Sequence, residues 1–443
     1  VINKISEEGN NARLDDIDIF RLYDAEKDKA NLSKWVDQGT ITGDQADVYK
    51  EILRSEHWML LKKQWNKLRK EADKQFVTPV NMKVYDYVTG GEKTVKMSPR
   101  DSIRHHQMHM QIGTVGVDPK SGEVKFWIGG INHKYFQYDH VTSNRQVGST
   151  FKPFVYGTAI IDQAISPCYK VQDIAYCIQA NDSDFGLTST WCPSNADGKF
   201  SGSFLTLKEG LKESKNSISV YLMKQLGSVE AVRNFVANLK IDKKKIPEAP
   251  SICLGTPELS AYDLASAYTA FANNGIHTSP IYVTHITDKN GRTIYTAIPE
   301  QKKAINPSYN YVIVDMLKYV AEVIAKKFKS EIAGKTGTTN NYKDGWYVGF
   351  TPNLVVSTWV GGDAEWIRFN TLADGQGAVM ARPFFEKLLT RVERDPNIDF
   401  DEGARFVKPE ELSVELDCSK YESINQQGGA VKQPNDEFEE EDN

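Results

Sequence analysis

Residues 145–159 read R-Q-V-G-S-T-F-K-P-F-V-Y-G-T-A, and no other stretch restricts the fold and chemistry of this chain as tightly. Gly148 precedes Ser149, Lys152 follows three positions on, and Pro153 leads an apolar run through Phe154, Val155, Tyr156, Ala159, Ile160 and Ile161. That pattern predicts a buried helix with proline in its first turn. A serine at the helix start and a lysine at i+3 lie on one face, within hydrogen-bond reach. Such a pair suits a serine nucleophile whose proton passes to a neutral lysine. The helix N-terminus adds a partial positive charge that steadies an oxyanion formed there. A lone S-x-x-K says little, since about two arise by chance in a chain this long. Here there is one, and two further triplets accompany it: Ser214-Lys215-Asn216 and Lys335-Thr336-Gly337.

S-x-x-K, S-x-N and K-T-G together are known as the mark of penicillin-binding proteins and serine β-lactamases. The chain resembles the transpeptidase domain of class A penicillin-binding proteins, and the resemblance goes beyond the triplets. It takes in R-Q-V-G-S-T-F-K-P-F-V-Y, S-K-N-S-I-S-V, A-S-A-Y-T-A-F-A-N-N-G and G-K-T-G-T-T-N-N-Y-K-D-G-W-Y-V-G-F-T-P, from about residue 95 to about residue 390. It implies an α+β fold of the penicillin-binding-protein/β-lactamase type, an antiparallel sheet flanked by helices, with a helical N-terminal linker before it. It also implies a serine acyltransferase that cross-links peptidoglycan stem peptides ending in two D-alanines and is inhibited by β-lactams, with no cofactor.

Under that resemblance Ser149 attacks the penultimate carbonyl. Lys152 takes its proton and must be neutral, although a free lysine titrates near ~10.4; burial and the like charge of Lys335 both lower it. Ser214 relays a proton to the leaving group, and Asn216 holds the substrate backbone or the Lys152 side chain. The backbone N–H groups of Ser149 and Thr338 form the oxyanion hole. Lys335, Thr336 and Thr338 suit the substrate's terminal carboxylate, and Gly337 lets an extended substrate approach the strand edge. Each residue also has a plainer role: Ser149 a helix cap, Lys335 a strand-edge charge, Asn216 a cap. Ser308-Tyr309-Asn310 and Ser423-Ile424-Asn425 show how common S-x-N is. The rival functions are a serine β-lactamase, a β-lactam-binding sensor and a carboxypeptidase.

With 443 residues, 40% hydrophobic and 26% charged, the chain has a globular composition with room for two or three domains. A net charge of −5 gives no reason to expect nucleic acid. The first residue is Val1, and no signal peptide or long apolar run is present. The expectation is therefore the C-terminal portion of a longer protein. Its membrane anchor and glycosyltransferase region would lie upstream, and it would work on the periplasmic face of the inner membrane. Residues 1–95 are expected as a helical linker and a short extended segment, 96–395 as the transpeptidase domain, and 396–443 as a polar acidic tail without order.

Five cysteines occur without a C-x-x-C, which argues against zinc. Cys168, Cys177 and Cys192 cluster in one loop-rich stretch, which permits a disulfide in an oxidising compartment; free buried thiols are the alternative. His105 and His109 stand at metal-ligand spacing, but no third ligand is spaced to complete a site, so a surface histidine cluster is expected.

Along the chain, Ile41–His57 and the stripe Trp58, Leu61, Trp65, Leu68 predict helices, the second with a basic solvated face. Ser98-Pro99-Arg100-Asp101 is a helix start. Strands are expected at 112–117, 123–128, 331–335, 346–350 and 354–360, and a hairpin around Lys289-Asn290-Gly291. Residues 166–206 form a long loop of the functional or disordered kind. Thr256-Pro257-Glu258 is expected to open a helix that runs to Asn274-Gly275, and residues 309–326 and 383–392 are further helices.

Overall fold

The chain divides between His106 and Gln107 into two units. The computed structural model describes residues 19–180, 183–364 and 366–426; the acidic run after 436 lies outside them.

Among the described residues the first unit has four helices ahead of its strands, α1 (Ile19–Lys27), α2 (Ala30–Asp37), α3 (Gly43–Arg54) and α4 (Glu56–Val77). Thr42 caps α3 in a capping box with Gln45, and Ser55 caps α4. Their small core is Leu22, Ala25, Leu32, Ile41, Ala46, Tyr49, Ile52 and Trp58. Of the stripe read from the sequence, Trp58 enters that core and Leu61 packs on its edge, but Trp65 and Leu68 are 38% and 64% exposed. The cause is length. At 22 residues α4 runs about 33 Å, well past the short helices that cover its first turns.

A hairpin follows, β1 (Val80–Asp86) with β2 (Gly91–Met97). The second strand escaped the sequence reading because its alternation is of charged and polar residues. Ser98 then caps α5 (Pro99–Gln107), accepting from the Asp101 N–H at 3.2 Å. The α5 histidines have a structural task. His105 Nε2 lies 2.8 Å from Tyr85 O, and His106 Nε2 accepts from Tyr85 N at 3.2 Å. Together they tie α5 to β1.

The second unit contains β3 (Gln111–Val117), β4 (Val124–Ile128), α6 (Lys152–Gln163), α7 (Leu207–Lys212), α8 (Asn216–Leu226), α9 (Ala261–Ala272), α10 (Pro307–Ala325), β5 (Ala333–Thr338), β6 (Asp344–Thr351), β7 (Leu354–Gly361) and α11 (Arg382–Val392). The sheet order is β5-β6-β7-β3-β4, every pair antiparallel. With helices against it, this is the expected α+β architecture. All eight residues of β6 are buried. The alternation of a strand sends Trp346, Val348 and Phe350 into the larger core and Tyr347 into a second one with Phe385, Leu389 and Ile324. Covered on both faces, the central strands lose the polar–apolar alternation of a half-exposed sheet.

Helix α6 is the centre of the larger core: Lys152 through Ile160 are all buried. Phe154 meets Tyr268 and Phe271 of α9, and Tyr268 meets Phe350 of β6, so α9 lies between α6 and the sheet. A Cβ on Gly157 would stand 2.9 Å from the terminal methyl of Ile313, so α6 packs closely on α10 there.

Two expectations need correction. Thr256-Pro257-Glu258 does not open a helix. Glu258–Leu259 pairs with Arg145–Gln146, and α9 starts only after Ser260, which forms a capping box with Asp263. The backbone before it is already committed, since Pro257 O accepts from Val147 N at 3.1 Å. Nor does an unstructured tail begin at 396. Phe406 is buried against Phe350, Ser166 Oγ donates to Glu415 O at 2.6 Å, and Cys418 is bonded to Cys168 at the head of a helix, Cys418–Gln426. A polar sequence with few apolar residues hides such a return path, because three or four anchors suffice.

Candidate active site

Ser149 sits in a single 3-10 turn, Gly148–Phe151, that runs directly into α6 at Lys152. Three elements pin this turn. Gly148 N donates to Gly255 O at 2.9 Å, Trp346 Nε1 of β6 donates to Gln146 O at 2.9 Å, and the Tyr268 hydroxyl of α9 donates to Thr150 O at 2.7 Å. Packing against β5 is close enough to demand glycine. Gly148 has φ +54°, and a Cβ there would stand 2.7 Å from Thr338 O and 3.0 Å from Thr338 N. The backbone of Thr338 thus lies beside the turn that carries Ser149.

Lys152 and Lys335 are both fully buried. Lys152 Nζ donates to Ser214 O at 2.6 Å and to Asn216 Oδ1 at 2.8 Å. Lys335 Nζ donates to Ser214 Oγ at 2.9 Å and to Thr336 O at 3.1 Å. Ser214 therefore joins the two lysines, one at its carbonyl and one at its hydroxyl. Among the described residues no carboxylate forms an ion pair with either amine. Burial, and then the neighbouring Lys335, hold Lys152 well below the usual lysine range. Burial brings Lys335 down to about 7. Two buried amines without a counter-ion favour neutral forms, the condition under which a lysine accepts a proton.

Ser214 owes its place to how α7 ends. Its φ is +59°, its N–H donates to Leu211 O at 3.2 Å, and the Lys215 N–H donates to Gly210 O at 2.9 Å. That pair of bonds is a Schellman motif, with Ser214 at the left-handed position usually taken by glycine. Asn216 opens α8 immediately after.

Five of the expected residues, Ser149, Lys152, Ser214, Asn216 and Lys335, converge here from the 3-10 turn, α6, the α7–α8 junction and β5. Thr336 and Thr338 are half-buried and share one face of β5, opposite Lys335 and Gly337. Thr338 Oγ1 accepts from Gly377 N at 3.1 Å. A Cβ on Gly337 would stand 2.5 Å from Val147 O, so that glycine is fixed by contact with the turn before Ser149.

Sequence reasoning did not single out Asp173 and Asn195. Both are buried in the long segment before α7, where the Cys177–Cys192 disulfide closes a loop and Lys170–Gln172 pairs with Phe204–Thr206. Asn195 Oδ1 accepts from the N–H groups of Asn216 and Ser217, at 2.9 and 3.1 Å. No local pattern flags residues that act 21 and 22 positions away. The cysteine cluster yields one internal bridge and one to Cys418, and Cys253 is free and buried.

Residues 112–364 match the family described as penicillin binding protein transpeptidase domain, and residues 34–110 match the penicillin-binding protein middle domain. Penicillin-binding protein 1A of Neisseria lactamica is 32% identical over 265 residues, covering 57% of this chain and 32% of that protein. Penicillin-binding protein 1A of Aquifex aeolicus is 31% identical over 316 residues, covering 68% and 40%. The chain thus spans 32% and 40% of the length of these two curated relatives. Among solved structures, penicillin-binding protein 1A from Haemophilus influenzae superposes with a TM-score of 0.59 at 22% identity, covering 72% of this chain and 51% of that one. PonA1 from Mycobacterium tuberculosis, in complex with penicillin V, gives 0.56 at 22% identity, covering 81% and 95%. At these identities the likeness is one of fold.

Proposed function

This chain belongs to the penicillin-binding protein transpeptidase family, and from that we propose that it is a peptidoglycan D,D-transpeptidase acting through a Ser149 acyl-enzyme. The observation that carries the reading is the bonding of Lys152. A neutral amine has two N–H groups, and two oxygens, Ser214 O and Asn216 Oδ1, accept from Lys152 Nζ. Asn216 can only present its oxygen, because its Nδ2 donates to Ser194 O at 2.9 Å. With both N–H groups spent, the lone pair is left for the Ser149 hydroxyl one turn earlier. Ser149 loses its proton to Lys152 as its Oγ bonds to the carbonyl carbon. The N–H groups of Ser149 and Thr338 receive the oxyanion.

Ser214 accepts from Lys335, so its own proton is free to be donated to the departing amine, the terminal D-alanine or the ring nitrogen of a β-lactam. Lys152 then resupplies that proton. The hydroxyls of Thr336 and Thr338 bind the substrate carboxylate, with Lys335 behind them. An amine of a second stem peptide resolves the ester and forms the cross-link. Because the chain spans only part of its relatives, we also propose that it is the C-terminal portion of a bifunctional cell-wall synthase, with a glycosyltransferase region and a membrane anchor upstream. That protein would work at the periplasmic face of the inner membrane. Intact-mass measurement after incubation with benzylpenicillin tests the acyl-enzyme. One adduct is expected, lost in Ser149→Ala while the near-ultraviolet circular dichroism is kept; an adduct that survives the substitution overturns the reading.

A further inference from the structure

We propose that Asp173, which lies outside S-x-x-K, S-x-N and K-T-G, is a positioning residue for acyl transfer: it fixes the S-K-N segment so that the Asn216 amide presents its oxygen to Lys152. The inference rests on the acyl-enzyme reading above and deepens it.

Asp173 is fully buried, and its carboxylate collects five donors. Oδ1 accepts from Ser217 Oγ at 2.6 Å and from Asn195 Nδ2 at 2.8 Å. Oδ2 accepts from the Ser201 N–H and hydroxyl, both at 3.0 Å, and pairs with Lys215 Nζ at 3.2 Å. Burial alone would raise its pKa, but the bonds from Ser217, Ser201 and Asn195 hold it well below the usual carboxylate range. The lowered pKa favours the anion, which is the form that accepts all five of these bonds.

The donors are not a random set. Lys215 and Ser217 flank Asn216 on either side, and both are bound to the one carboxylate. Asn195, oriented by Asp173 at its amide nitrogen, has its oxygen left for the first two N–H groups of α8, those of Asn216 and Ser217. Its neighbour Ser194 supplies the carbonyl that holds Asn216 Nδ2. The Asn216 N–H thus traces back to Asp173 in two bonds through Asn195, and its amide nitrogen is held by the residue next to Asn195. The middle lysine of S-K-N, which has no part in the chemistry, gains a task as the charged tie to this anchor. Asp173 touches neither Ser149 nor Lys152 nor Lys335, and of the residues it anchors Asn216 is the one whose side chain bonds Lys152, so its effect is assigned to Asn216.

That route is testable by a double-mutant cycle, which separates action through Asn216 from general loosening. Fluorescent-penicillin acylation is followed in the 443-residue chain carrying Asp173→Asn, Asn216→Ala or both. Asp173→Asn is expected to slow the acylation step about tenfold or more, the rate equivalent of one hydrogen bond to a charged group, and to leave the preceding non-covalent affinity unchanged. In the Asn216→Ala background the same change should have less than about a twofold further effect. Additive losses, or an unimpaired Asp173→Asn, overturn the proposal. Should Asp173→Asn fail to fold, Ser217→Ala removes a single arm of the anchor and enters the same cycle. A loss of rate that vanishes in the Asn216→Ala background supports the proposal; no loss, or an additive one, overturns it. Labelling that persists in Ser149→Ala would instead refute the acyl-enzyme reading, so the two failures are distinct.

Discussion

At Ser214 the chemistry and the backbone make opposite demands, and two substitutions separate them. A non-glycine residue in the left-handed region costs about 1–2 kcal/mol, and Ser214 bears that cost at φ +59° in the Schellman turn ending α7. Ser214→Ala and Ser214→Gly both remove the hydroxyl and the Lys335 Nζ bond at 2.9 Å, so that loss cancels between them. What remains is the backbone. Alanine keeps the left-handed penalty; glycine escapes it but gives back about 0.5–1 kcal/mol in unfolded-chain entropy. The balance favours the glycine variant by about 1 kcal/mol, the reverse of the order found inside a helix. In urea denaturation the glycine variant should have the higher midpoint, and in calorimetry a Tm about 2 °C above that of alanine. Acylation by benzylpenicillin should fall about 10²-fold in both, the scale of a lost proton relay. An alanine variant as stable as glycine would refute the backbone argument, and a glycine variant that acylates at the parent rate would refute the relay.

Lys152→Ala should slow acylation by about 10²-fold or more, and Lys152→Arg should not restore it, because a guanidinium stays protonated; a near-parental rate in the arginine variant would contradict the base assignment. Lys335 has a folded pKa of about 7 against 10.5 when free. Between those values the unfolded chain binds more protons, so its contribution to stability rises with pH and is lost as pH falls toward 7. The stability difference between the parent and Lys335→Met should accordingly shift in the parent's favour from pH 7 to pH 10, as denaturation midpoints would reveal; a flat difference would contradict it. Reduction of Cys177–Cys192 frees the loop between them, three residues before Asn195, and should lower the unfolding free energy by about 3 kcal/mol for a loop of this length, measured against a Cys177→Ser, Cys192→Ser variant. Glu258 is exposed on the strand beside Gln146 and lines a polar cavity of about 280 Å³ with Asn340 and Asn341. A base that activates water is normally desolvated, so the acyl-enzyme should persist for minutes to hours, unchanged by Glu258→Gln; turnover near one per second, abolished by that substitution, would make the chain a β-lactamase.

The reactive residues were legible because each is tied to a short-range pattern. Ser149 and Lys152 are one helical turn apart, and Lys335 to Thr338 are consecutive on one strand. Gly148 and Gly337 were legible as glycines, but the neighbours that require them, Thr338 and Val147, come from the far side of the sequence. The helix expected at Thr256 failed because a proline-bearing start signal competed with tertiary pairing to Arg145–Gln146, and pairing won. The left-handed turn at Ser214 was hidden by its own exception, since glycine is what that turn ordinarily displays. Asp173 was hidden more thoroughly. Its partners are Asn195 and Ser201 in the long segment before α7 and Lys215 and Ser217 at the start of α8, ordinary polar residues whose meaning depends on a three-dimensional convergence that spacing does not encode.

The bond between Cys168 and Cys418 gives the second unit an unusual line of tension. The two cysteines are 250 positions apart. In a chain held at both ends, a pull on residues beyond Cys418 crosses through sulfur to Cys168, just past the end of α6, and continues toward Gln107. Everything from 169 to 417 hangs from that line as a closed loop and bears no load, including S-K-N, K-T-G and strands β5, β6 and β7. Without the bridge, stretching this unit to full extension from Gln107 would release about 1,000 Å of chain at roughly 3.4 Å per residue. With it, only residues 107–168 can be drawn out, about 200 Å. The nucleophile is on the tensioned segment and its lysine and serine partners from the other elements are off it, so a force applied to the ends is felt first as a displacement of Ser149 relative to Ser214 and Lys335.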